Sequence, residues 1–145
     1  IYIRLVGSEM CIRDSFCITI TLNVSAHSYN NTEETGVFFI APLTGETVSN
    51  PIKITFGAKG VDIVPAGVDL PMSGHHHLLI NVDKLPNLKL PIPADSNHLH
   101  FGNGQTETEI NLPPGKHTLQ LLLGNHLHVP HSEPLISDKI EITVR

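Results

Sequence analysis

Tryptophan is absent from this 145-residue chain, and its only two cysteines, Cys11 and Cys17, lie close to the start. A body without cysteine excludes disulfide staples and thiolate ligation, so any metal held there must rest on histidine and carboxylate. Charged residues are few, at 16%, and no Lys/Arg cluster interrupts a formal net charge of −5. Nucleic acid and anionic membrane surfaces are therefore poor partners. The uncharged run at 16–26 is too short to span a bilayer, so no stable membrane insertion is expected of the mature protein. No Ser/His/Asp or Cys/His nucleophile set stands out, and Gly102-Asn103-Gly104 is a turn signal that does not match GxGxxG. Those absences argue against an enzyme.

Histidine is what the chain has in plenty. Of its ten copies all but His27 fall between His75 and His131, as a triplet, two His-x-His pairs and single residues. Neutral imidazole is the commonest protein ligand for transition metals, and residues i and i+2 of a strand point the same way. His-x-His in a strand can therefore present two nitrogens to one ion. Protonating most of these side chains near pH 5 to 6 would also turn the net charge from negative to positive.

Four segments follow from composition. Residues 1–15 (IYIRLVGSEMCIRDS) resemble a translated sequencing adaptor and are set aside as non-native. Residues 16–26 (FCITITLNVSA) read as the end of a signal peptide, with small residues at Val24-Ser25-Ala26 for cleavage before His27. Polar residues 27–36 form a flexible lead-in, and residues 37–145 one domain, large enough to bury a core. Periplasmic or secreted localisation is expected on this reading.

Within the domain, strand-like Val/Ile/Thr runs outnumber any helix, which predicts an all-β, immunoglobulin-like antiparallel sandwich with long Pro/Gly/His-rich loops. Val37–Ile40 and Ile52–Phe56 read as strands across a Pro/Gly turn, with Ile52, Ile54 and Phe56 on one face. Residues 57–73 read as a loop or irregular strand. In His75–Val82 the parity places His76, Leu78 and Ile80 toward the core and His75 and His77 on the opposite face. The proline-rich stretch 83–97 must be a long crossing loop, a common seat of function. Glu107–Leu112 and Lys116–Leu123 read as a hairpin about Pro113-Pro114-Gly115, and Ile140–Val144 as a closing strand.

The segments GHHHLLI, HLHFGNGQTET, PPGKHTLQLLLG and HVPH resemble a bacterial exported family catalogued as domain of unknown function 4399, over roughly Val37 to Val144. The resemblance implies a small, usually secreted or periplasmic, histidine-rich β domain of unknown role.

Function then rests on the histidines. The candidate metal ligands are His75, His77, His98, His100, His126, His128 and His131, two or three of which would converge, with Asp95 or Glu107 adding an oxygen and Met72 a soft donor. Such N or N/O sets suit Cu(II), Zn(II) or Ni(II), with copper the tightest binder, in storage, delivery or protection. The competing reading is a non-catalytic structural or interaction module, whose histidines bond loops together or respond to pH. His76 and His117, each sharing a face with apolar residues, fit that role best. A cupin-like reading of His98-x-His100, Glu107 and His117 fails on spacing: the carboxylate comes too late and the segments lie too close together. The expected partner is a metal ion, with any protein partner unidentified.

Overall fold

The computed structural model describes residues 34–145, which fold as two packed β-sheets with no helix among them. The readings of residues 1–15, 16–26 and most of 27–36 lie outside the described residues. Strands β1 (Gly36–Ala41), β3 (Ile52–Lys59) and β7 (Glu107–Ile110) form one antiparallel sheet in the order β1-β3-β7. The second sheet runs β2 (Thr47–Val48), β9 (Ile140–Val144), β8 (Gly115–Gly124), β5 (Ser73–Ile80) and β4 (Asp62–Ile63), with β6 (His98–His100) also pairing β5. Alternation does the expected work in β3 and β9, where Ile52, Ile54, Phe56, Ile140, Ile142 and Val144 are buried and the residues between them are not. These side chains meet Leu78, Ile80, Leu119, Leu121 and Leu123 from β5 and β8 in the main core between the sheets.

One reading from periodicity needs correction. Glu107–Leu112 and Lys116–Leu123 do not make a hairpin: β7 pairs β3, whereas β8 pairs β5 and β9. Pro113-Pro114-Gly115 is thus a crossing between sheets, and the alternation on either side reports one buried face without naming its partner. The stretch 57–73, read as a loop or irregular strand, holds two pieces of strand: β3 runs to Lys59, and β4 pairs parallel to the start of β5.

Strand β5 departs from alternation altogether: all eight of its residues are buried. Its inner face joins the main core. On the outer face Leu79 and Leu122 pack with Ile92 of the crossing loop, flanked by Val82, Leu88 and Ile136, as a second small core. The proline-rich segment therefore lies as a cover over the outer face of the sheet. Its neighbour across β8 is the stretch 130–137, which bonds back through Leu123 N to Leu135 O at 2.9 Å and Ser137 N to Leu121 O at 3.0 Å.

His76 is the oddest member of the inner face. Its ring is fully buried, sits 5.1 Å from the Phe56 ring centroid, and has no hydrogen-bond partner on either nitrogen. His117, by contrast, is satisfied: Nε2 donates to the Pro113 carbonyl at 2.7 Å and Nδ1 accepts from Asn81 Nδ2 at 2.9 Å. That tautomer follows because Asn81 Oδ1 already accepts from Thr118 N. Replacing an unpartnered buried imidazole by an apolar side chain removes a desolvation penalty of about 1–3 kcal/mol. His76→Leu is expected to raise stability by about that amount at pH 7 in urea unfolding, and a loss would show that the imidazole has a bonded partner.

Candidate metal centre

Three separate segments bring imidazoles to the outer face of β5. His75 and His77 point there together because they are two residues apart in an extended strand. Antiparallel register with β6 sets His100 opposite His77, so the third ring arrives as a cross-strand neighbour. The fourth, His128, comes from the turn that follows β8. Asn125 builds that turn: its backbone N–H donates to Val129 O at 2.9 Å, its carbonyl accepts from His128 N at 2.8 Å, and its side-chain oxygen accepts from Leu127 N and Val129 N. His128 takes a left-handed φ of 65°, and its carbonyl accepts from Ile92 N at 2.8 Å, joining the turn to the covering loop.

The rings stack closely. Centroids of His75 lie 4.9 Å from those of His77, His100 and His128 alike, and His100 and His128 are 4.7 Å apart. One nitrogen from each of His75, His100 and His128 falls within 4.8 Å of the other two. A tetrahedral ion with nitrogen ligands at about 2.0–2.1 Å separates them by about 3.3–3.4 Å, so the three nitrogens would have to draw closer to share one. Two glycines make the room. A side chain at Gly102 would overlap the His100 ring, and one at Gly124 would come within 2.7 Å of His77 Cε1 and 3.3 Å of the His128 carbonyl carbon.

Burial and the neighbouring rings favour the neutral form of His75, His76, His77 and His100. Desolvation, followed by the neighbouring His100, His128 and His76 rings, pushes the His75 pKa down to about 4. Burial alone carries His76 to about 4, and burial with the adjacent His75, His100 and His128 takes His77 to about 3. His100 is lowered by burial and by His128. Neutral imidazole is the form that ligates metal. His75 is the sharpest case, fully buried with neither ring nitrogen bonded to anything.

The other candidate residues lie elsewhere. His98 shares the face with His100 but sits over Leu79, where Nδ1 bonds Asp95 at 2.8 Å and holds that carboxyl below its usual range. His126 turns to Asp69 at 3.2 Å, and His131 Nε2 to the Ser73 carbonyl at 2.9 Å. Glu107 pairs with Lys53 on the other sheet, at 3.2 Å. Met72 is half-exposed at a left-handed φ of 48°, with its carbonyl accepting from Asp62 N. One histidine of each flanking pair thus joins the cluster while His98 and His126 bond a carboxylate. Sequence reading did not find Gly102, Gly124 or Asn125, whose roles are to leave space and to shape a turn. The Asn-x-x-His spacing at 125–128 was the available signal.

Depressed histidine pKa values make the metal-free fold sensitive to acid. Between pH 6.5 and about 4 the unfolded chain binds more protons than the folded one, so stability is complete above 6.5 and declines as pH falls toward 4. The slope is up to about 1.4 kcal/mol per pH unit for each buried histidine. Urea unfolding at about pH 7, 5.5 and 4.5 should show this decline, and His76→Leu should flatten it by one histidine's share.

No curated protein and no solved structure matches the chain. A family profile does, over residues 54–145, starting inside β3 rather than at Val37 and including every histidine of the cluster. The chain belongs to the family described as domain of unknown function, DUF4399.

Proposed function

We propose that this domain binds a transition-metal ion through His75, His100 and His128, and holds it in storage, delivery or protection without doing chemistry on it. The observation that carries this reading is His75: a fully buried imidazole, both nitrogens unpartnered, facing two further imidazole nitrogens within 4.8 Å. Leaving such a group without a partner is unfavourable in a folded interior, and an ion at the shared point supplies one. The donors are all imidazole nitrogens, with Asp95 and Asp69 engaged by His98 and His126. That set suits Cu(II) and Zn(II), with Cu(II) the tighter by the general order of divalent affinities. Export to the periplasm or beyond is the compartment that residues 16–26 favour.

The structural reading holds for the other histidines. His98, His117, His126 and His131 each bond a neighbouring side chain or carbonyl, tying loops to strands. None of them is needed for the ion.

Thermal shift and isothermal titration with Cu(II), Zn(II) and Ni(II) test the proposal. One saturable site is expected, with stabilisation that grows with free metal, by about 2.7 kcal/mol at a hundredfold excess over Kd. His75→Ala and His128→Ala should abolish the response, and His98→Ala should leave it. Equal stability with and without every metal would sink the idea.

Gly102→Ala probes the same site without removing a ligand. The added methyl must displace the His100 ring toward solvent, where it already has exposure. Metal affinity is expected to fall by about 10-fold or more, the range seen when ligand-orienting groups are lost, with little change in metal-free stability. Unchanged affinity would remove His100 from the ligand set.

A further inference from the structure

We infer that His77 supplies a fourth nitrogen, so that the site is a closed four-imidazole centre with no position left for an exogenous ligand. This rests on the metal-binding reading above and goes beyond it, because it decides between holding an ion and presenting it to a substrate.

His77 stands against all three convergent rings, with centroids 4.9 Å from His75, 5.1 Å from His100 and 6.0 Å from His128. It is 1% exposed, and its Nδ1 is buried without a hydrogen-bond partner. That nitrogen, stripped of water, belongs to a ring whose neighbours are the three other imidazoles of the cluster. The edge of the ring that carries Nδ1 faces Gly124, where a Cβ would lie 3.2 Å from Nδ1 and 3.3 Å from the carbonyl carbon of His128. The ring lies so close to Gly124 that only a residue without a side chain leaves it room, and His77 is thereby packed against the turn that carries His128. The nitrogens that already converge are those of His75, His100 and His128, so ligation by His77 asks its neighbouring ring to turn toward them about its side-chain bonds.

Coordination chemistry supplies the rest. Structural zinc-type sites are four-coordinate and closed, whereas catalytic ones keep three protein ligands and a water. An open site also needs a group to orient or deprotonate that water. Asp95 and Asp69 are paired with His98 and His126, and the groups that converge are imidazoles. Four imidazole nitrogens, two of them from the fully buried His75 and His77, complete an ion's shell.

Cobalt(II) is the probe, since its visible bands report ligand number directly. The wild-type protein loaded with Co(II) should give bands that excess azide does not change. His77→Gly should bind Co(II) at least about 100-fold more weakly, beyond the loss expected of a merely supporting residue. Its bands should shift with azide, and added imidazole should restore both the wild-type bands and the affinity. His77→Gln, which keeps a polar group in the same space, should behave like His77→Gly toward azide and guards against misfolding of the glycine variant. Azide-sensitive bands in the wild type overturn the closed centre, with no variant needed. Azide-inert bands or wild-type affinity in both variants overturn it as well while leaving the three-histidine site standing. Failure of the wild type to bind any Co(II), Cu(II) or Zn(II) overturns this inference together with the proposed function.

Discussion

Strand β5 is covered on both faces, and the rest of the molecule is arranged around that fact. Its inner face is roofed by β1 and β3 across the main core, and its outer face by Ile92 and the crossing loop. A polar triplet in such a strand loses water on both sides at once. Three consecutive imidazoles are consequently held neutral, and five of their six ring nitrogens have no hydrogen-bond partner among the described residues. Few folded proteins leave so many polar atoms unbonded in one place without a ligand to bond them.

The histidines divide by whether they have partners. Those with partners sit where a loop must be fastened: His117 at the sheet crossing, His98 at the turn into β6, His126 between two loops, His131 against the start of β5. Apart from His76, unpartnered on the inner face, those without bonded partners gather on the outer face of β5, with glycines where bulk would spread them. Asn125, through the left-handed turn it builds, positions His128 from a segment nearly fifty residues beyond the triplet. The same turn bonds the covering loop through Ile92, so the element that desolvates the cluster and the element that completes it are linked.

Much of this was legible from residues alone. The six longer strands, β1, β3, β5, β7, β8 and β9, the burial of Ile52, Ile54 and Phe56, the inward direction of His76 and the shared face of His75 and His77 all follow from a period of two, whereas the short β2, β4 and β6 do not. The proline-rich 83–97 segment could be recognised as a crossing, since proline cannot sit in a central ladder. The pairing of β7 and β8 could not, because alternation fixes which side is buried and is silent about which strand lies alongside.

The sequence by itself determined a β-rich domain lacking cysteine in its body, whose histidines crowd into one half and pair on shared faces, because local geometry and composition are carried by neighbouring residues. Only the tertiary structure decided which imidazoles meet. His100 joins through the register of β6 on β5, His128 through a turn, and His98 and His126 are drawn off by Asp95 and Asp69. Convergence depends on contacts between segments far apart in the chain, and on the empty space beside Gly102 and Gly124, which no period in the sequence encodes.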